Sequence, residues 1–458
     1  MSAAARLRVS SNCPNCGAAI DFGEGTNALV CDHCRSRLLV TGHGRVLSYF
    51  VSPKVDGAAA LSVARFAEPP EAGPTRAAEP RLFFLPYYRL TGTDVRWQRP
   101  ERRPTPPPDY TEANAGSDSL VISLIARAAE RDQLEEIECR DRAIERNFLA
   151  LDVSGVGLYS LGIRPNALRL ELYHRDSLEA LGRVVGAEMA EEAAIDIGRK
   201  TGDAPSVAFR AVIGAVLSVV YFPFWFVEVR HPQKRALTIV DAVSQSVVTR
   251  GAPLDLIGRL ERSVAAEPCV IGFRPLVCPN CGWDLPVEPD HVIFYCGSCH
   301  QAWRVRGDEL LPTPHGFVAL PAPSSRPLAE HLPFWSLRVT IDECAPQSFL
   351  APAFRYRQAR ALVDAVRRWP THPLGAESTP TPAPRSARGA SFDESDAAAL
   401  VLLAEAGEEP QSFTQAERYR DVTATVDGAE LVWLPFVSDV YSLRDPFSNA
   451  AIAAKLLG

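Results

Sequence analysis

Eight of the eleven cysteines in this 458-residue chain fall into four Cys-x-x-Cys pairs: Cys13/Cys16, Cys31/Cys34, Cys278/Cys281 and Cys296/Cys299. Both sets have the same internal spacing, so every cysteine of the first recurs at one fixed offset in the second. A thiolate coordinates zinc at about 2.3 Å, and four thiolates close a tetrahedron around one ion. Two cysteines separated by two residues can grip an ion from a tight turn. Gly17 and Gly282 follow the first pair of each set, where positive φ is needed, and Pro14 and Pro279 stiffen the start of the turn. Four thiolates leave no position open for water, so the expected metal is structural rather than catalytic. Iron accepts the same thiolate geometry, but zinc is the expectation for a structural four-sulfur site. Redox pairs would each want a strand–helix context and an activated thiol, which duplicated spacing does not suggest. His33 and His300 lie in or beside the second pair of each set and are alternative ligands, but with four cysteines to hand they read as exposed turn residues. Cys139, Cys269 and Cys344 stand alone and read as small buried side chains.

Each second pair must return to the first, and a short hairpin spans the gap. NALVC ending at Cys31 and HVIFYC ending at Cys296 alternate well enough to be the returning strands. The arrangement resembles the rubredoxin-like zinc ribbon of general transcription factors and RNA polymerase subunits, over about residues 13–40 and 278–305. The resemblance implies Cys13, Cys16, Cys31 and Cys34 as one ligand set and Cys278, Cys281, Cys296 and Cys299 as the other, with two zinc ions per chain. Ribbons serve many kinds of complex, so it implies nothing beyond ligation.

The elements around these sites show a second echo. An apolar residue and proline precede two large residues four times: LPYYRL at Leu85, FPFWFVEV at Phe222, LPFWSLRV at Leu332 and LPFVSDVY at Leu434. Val227/Val229 and Leu337/Val339 alternate as strand residues, with proline expected at the strand entrance. NFLA at Asn147 and SFLA at Ser348 stand between the members of each pair. The shared order predicts an α+β chain made by tandem duplication, each unit a zinc ribbon followed by a mixed α/β domain with antiparallel strands. The expected boundaries are ribbon 1 at 1–44, domain 1 at 45–268, ribbon 2 at 269–307 and domain 2 at 308–458. Helical spacing predicts helices over 178–199, capped by Asp176, and 355–369, with others over about 119–146, 394–406 and 447–457. Segments 67–80, 99–116 and 371–392 lack apolar periodicity and read as surface linkers.

Composition narrows the functions. Hydrophobic residues make up 47% and charged residues 22%, as expected of a folded, soluble chain. A net charge of −7 argues against general coating of nucleic acid. No apolar signal core precedes Cys13, so a cytoplasmic location is expected. The uncharged run between Arg210 and Glu228 is at the short limit for a membrane span and contains Pro223; its β-branched and aromatic content predicts buried strand, so no transmembrane segment is expected. No phosphate-cradling loop, HExxH or Gly-x-Ser-x-Gly elbow is present, and SGVGLYSLG at 154–162 reads as a bent strand. A non-enzymatic adaptor or scaffold for a protein partner is the leading expectation. Nucleic-acid binding is the alternative, although the ribbons carry four arginines against three acids over 1–40 and two against three over 276–306. Arg81–Arg103 and Arg355–Arg368 are better phosphate-reading candidates. An enzyme whose residues converge only in space is the third reading.

Overall fold

The computed structural model describes residues 7–42, 46–67, 76–101, 135–151, 169–200, 204–230, 235–263, 271–320, 327–342, 344–369, 384, 387–408, 412–439 and 441–457. Two units of three long antiparallel strands organise them, within an α+β structure. In the first, Arg81–Gln98 lies between Glu138–Leu149 and Val207–Arg230. In the second, Leu328–Ile341 lies between Gln347–Pro352 and Ala424–Ser438. The four apolar-Pro-aromatic strings sit in these strands and face one another, Leu85 opposite Phe222 and Leu332 opposite Leu434.

The prolines lie inside the strands rather than at their entrances. A proline has no N–H to give a ladder, so it is tolerated where no donor is needed. Pro223 falls between two partners on one edge, Leu47–Phe50, which ends opposite Tyr221, and Arg235–Asp241, which begins opposite Phe224. Pro435 falls likewise between His315–Phe317, ending opposite Trp433, and Ser442–Arg444, beginning opposite Val437.

The bonding around the third strand repeats too. Ala150 N–H donates to the Pro86 carbonyl at 2.9 Å, and Ala353 N–H to the Pro333 carbonyl at 3.0 Å. The Ala150 carbonyl then accepts from Glu188 and Met189 N–H at 2.8 and 3.2 Å, and the Ala353 carbonyl from Ser391 and Phe392 N–H at 2.7 and 3.1 Å. A helix begins directly afterwards in both places, Glu191–Lys200 and Glu394–Ala406. The second large residue of each first string closes this corner with its polar tip. Tyr88 Oη donates to the Met189 carbonyl at 2.8 Å, and Trp335 Nε1 to the Phe392 carbonyl at 2.9 Å. A ring with a donor at its far end fills the core and satisfies a carbonyl together. NFLA and SFLA both run through the third strands, but two residues out of step, since Ala150 takes the place of Ala353 and not of Ala351.

The two units share a core. Glu394–Ala406 is apolar nearly all round, and such a helix must be enclosed. It packs between the units: Leu400 and Leu403 join Leu337 and Trp433 from one side and Val95, Trp97 and Phe209 from the other. Trp97 Nε1 donates to the Leu403 carbonyl at 2.8 Å. The long strand Val207–Arg230 bulges at Gly214, whose φ of 61° glycine adopts without strain, and the freed Gly214 N–H donates to Asp396 Oδ1 at 2.8 Å.

Several helices expected from the sequence take other forms. The 178–199 pattern resolves into Arg175–Leu181 and Glu191–Lys200, because Arg183–Val184 leaves the helix to pair with Phe83 and Phe84 and buries Val184 and Val185. Asp176 does not cap; the cap position is His174. Of 119–146, the described part from Glu138 is strand, held in register along Arg81–Gln98, so cross-strand pairing overrides its helix-forming residues. The 447–457 segment turns at Asp445, whose carboxylate accepts from Phe447 and Ser448 N–H, and returns as the strand Ala451–Ala453. Ala359–Arg368 and Glu394–Ala406 are helices where the spacing placed them. SGVGLYSLG lies outside the described residues. The uncharged run between Arg210 and Glu228 is strand, and no described helix is long and apolar enough to cross a membrane.

Candidate functional site

Each four-cysteine set is carried by two tight turns, and all four turns have the same bonds. The first cysteine of a pair accepts at its carbonyl from the residue after the second: Gly17 to Cys13 at 2.8 Å, Arg35 to Cys31 at 2.8 Å, Gly282 to Cys278 at 2.9 Å and His300 to Cys296 at 2.8 Å. The same cysteine donates its own N–H to the carbonyl of the residue two past the second cysteine: Ala18, Ser36, Trp283 and Gln301, at 2.8 to 2.9 Å. The closing residue has φ between 60° and 75° in every turn. Glycine meets this at positions 17 and 282, whereas Arg35 and His300 adopt a left-handed conformation that costs a side-chain-bearing residue about 1 kcal/mol or more. The second turn of each set closes a hairpin: Ala28–Val30 with Arg37–Thr41, and Ile293–Tyr295 with Ala302–Arg306.

The four sulfurs of each set lie within 4.8 Å of one another. Cys13–Cys34 and Cys16–Cys31 are 3.7 and 3.8 Å apart; Cys278–Cys299 and Cys281–Cys296 are 3.4 and 3.5 Å apart. A tetrahedron with metal–sulfur bonds of about 2.3 Å has an edge of about 3.8 Å, so the first set matches and the second is slightly compact. A disulfide would bring a pair to about 2.05 Å, and none of the described cysteines forms one. These two groups can each hold a metal ion. Neither His33 nor His300 joins them. His33 is exposed, and His300 Nδ1 lies 2.8 Å from Tyr295 Oη.

One pair of residues carrying the sites escaped the sequence reading. Asn15 Nδ2 lies 3.8 Å from Cys34 Sγ and 2.8 Å from Ser36 Oγ. The Ser36 hydroxyl and N–H hold the Cys34 thiol down to about 5. In the other set burial raises Cys299, yet the Asn280 side chain and Gln301 N–H bring it down to about 7. In each cluster one thiol is thus lowered, while another, Cys16 in the first and Cys296 in the second, is raised to about 12. The signal was present, since both sets begin Cys-Pro-Asn-Cys, but nothing in the spacing says where the asparagine points.

Most of the other candidates have structural partners. Arg89 is fully buried, its Nε 2.6 Å from Glu24 Oε2, with Glu145 and Asn147 also bound, so it joins the first ribbon to the central strands. Arg96 pairs with Asp94 at 3.0 Å, Arg81 with Glu261, and Arg99 stacks on Phe413. On the second basic segment, Arg355 lies 3.6 Å from Asp290, Arg360 and Arg368 flank Asp364, and Arg367 Nε donates to the Ala404 carbonyl at 2.9 Å. Arg102 and Arg103 lie outside the described residues, as does Cys269. Cys139 is buried, and burial raises its thiol to about 12; Cys344 is exposed. A cleft of about 80 Å³ between Tyr356, Trp369 and Ile452 contains Asp364 and Arg368 but no nucleophile beside a base. No protein family, curated protein or solved structure matches this chain.

Proposed function

We propose that the protein is a non-enzymatic zinc-binding scaffold, arisen by tandem duplication, whose two structural zinc ribbons hold an α+β framework for a protein partner. The observation that carries this reading is the pair of sulfur clusters, each offering four ligands and leaving no position for water or substrate. Cys13, Cys16, Cys31 and Cys34 would hold one ion, and Cys278, Cys281, Cys296 and Cys299 the other. Zinc supplies fixed tetrahedral linkage and no redox chemistry. Structural zinc contributes about 10–16 kcal/mol of apparent binding free energy in peptide hosts, as large as the net stability of a typical domain at about 5–15 kcal/mol. The repeated alanine corner, the matching helix starts and the common ribbon spacing support duplication. Partner binding is supported by exposed aromatics, Trp283 beside a cysteine turn at 67% exposure and Tyr441 at 87%, the residue class that anchors protein interfaces.

Affinity purification of the full chain from its native cells tests the reading. A protein partner that survives nuclease treatment, with no retention of DNA or RNA on filters at low salt, is the expected outcome. Retention of nucleic acid that weakens steeply with salt would transfer the role to the nucleic-acid alternative.

A further inference from the structure

The two ribbons, far apart in sequence, are built against each other. Gly272–Pro275, which leads into the second ribbon, pairs antiparallel with Arg37–Thr41 of the first, setting Phe273 opposite Val40 and Arg274 opposite Leu39. Leu276 N–H donates to the Arg37 carbonyl at 2.9 Å. In return Arg37 Nη1 donates to the Leu285 carbonyl at 2.9 Å, inside the second cysteine loop. Asn27, in the first loop, donates its N–H to the Pro289 carbonyl at 2.8 Å and its side-chain amide to the His291 carbonyl at 3.1 Å. Gly42 N–H donates to Asp308 Oδ1 at 2.6 Å. The apolar side is shared as well: Ala28 and Leu39 of the first ribbon form one buried cluster with Leu276, Leu285, Phe294, Trp303, Cys278 and Cys296.

Each hairpin also packs on a central core, Leu29, Leu38 and Val40 in one cluster and Ile293, Tyr295 and Ala302 in another, yet a hairpin is marginal without such partners, and each lends part of the other's. Ala28 and Leu39 pack beside Cys278 and Cys296, and Phe273 packs on the cluster that holds Cys13 and Cys31, so each side contributes to the other's surroundings. The strand paired with Arg37–Thr41 and the carbonyls that accept from Asn27 and Arg37 belong to the segment of the second cluster, so order in one is tied to order in the other. Metal binding to such a site is inseparable from folding it, so a free-energy term shared in folding is shared in binding.

We propose that the two metal sites form one cooperative unit, in which an ion at either cluster raises the affinity of the other. The inference rests on the reading of both clusters as metal sites. Linkage makes the effect reciprocal, and the expected factor is on the order of tenfold to a hundredfold in each direction.

The test is a thermodynamic cycle on the full chain, with zinc affinities measured by competition against a chelator. Cys281→Ser leaves only the first site and Cys16→Ser only the second. Cooperativity predicts that the overall two-zinc constant of the unaltered protein exceeds the product of the two single-site constants by at least tenfold. Equality of the two would overturn it. A second variant, Asn27→Ala with Arg37→Ala, keeps all eight cysteines and removes contacts between the ribbons. It should still load two ions, with an overall constant lowered at least tenfold; an unchanged constant counts against the proposal even where a cysteine variant fails to fold. Failure of the underlying reading looks different, because then the unaltered protein binds no zinc at all.

Discussion

At the residue scale the cysteine turns divide their work between ligand, backbone and supporting side chain. Asn15 and Asn280 stand at the same place in the two Cys-Pro-Asn-Cys turns and reach the last sulfur of each set. Groups that hydrogen-bond a ligating atom tune affinity by about 10- to 100-fold. Asn15→Ala and Asn280→Ala should each lower zinc affinity about tenfold in chelator competition while leaving two ions bound at saturating zinc. The closing residues make a second case. Arg35 is exposed with φ 61°, so Arg35→Gly removes strain and should raise the unfolding free energy read from denaturation curves, by about 1 kcal/mol before the added freedom of the unfolded chain is subtracted. His300→Gly should gain less, since the imidazole's contact with Tyr295 is lost. The convergence of each four-cysteine group was legible in the sequence because cysteine spacing states geometry directly. The asparagines and the left-handed arginine and histidine were not, because their roles depend on side-chain direction and on φ.

At the element scale the packing of Glu394–Ala406 has a signature in pH. Burial and the neighbouring Asp393 carboxylate push Asp396 up to about 7, well above the ordinary aspartate value of 3.8, even though it accepts the Gly214 N–H. A carboxyl raised in the folded state binds more protons folded than unfolded between those two values, so its contribution to stability falls as pH rises from about 4 to 7. Asp396→Asn keeps an acceptor for Gly214 and removes the charge. Relative to the unaltered protein it should gain stability across that window, by a few kcal/mol at most. Parallel denaturation curves at every pH would show that Asp396 bears no such strain. The strings with proline were read correctly as strands, and the proline positions were not, because the sequence cannot show where one partner strand ends and the next begins. Glu394–Ala406 was legible through its unbroken apolar run. The 178–199 and 447–457 segments depart from helix because local helical spacing gave way to strand pairing, with distant Phe83–Phe84 in one case and with neighbouring Ser442–Arg444 across the Asp445 turn in the other.

At the scale of the whole molecule, the two three-stranded units interlock. Trp97 of the first reaches the helix of the second, and Gly272–Pro275 completes the first ribbon from across the expected boundary at 268/269. Under the proposed reading, interlocking of this kind ties the two metal sites to the described core rather than to two appended modules. The most direct test is the metal content of the full protein purified without chelator, measured by elemental analysis against protein concentration, with thiols counted on the same sample. Two zinc ions per chain and no disulfides are predicted. Metal near zero, or cluster cysteines joined as disulfides, would contradict the account.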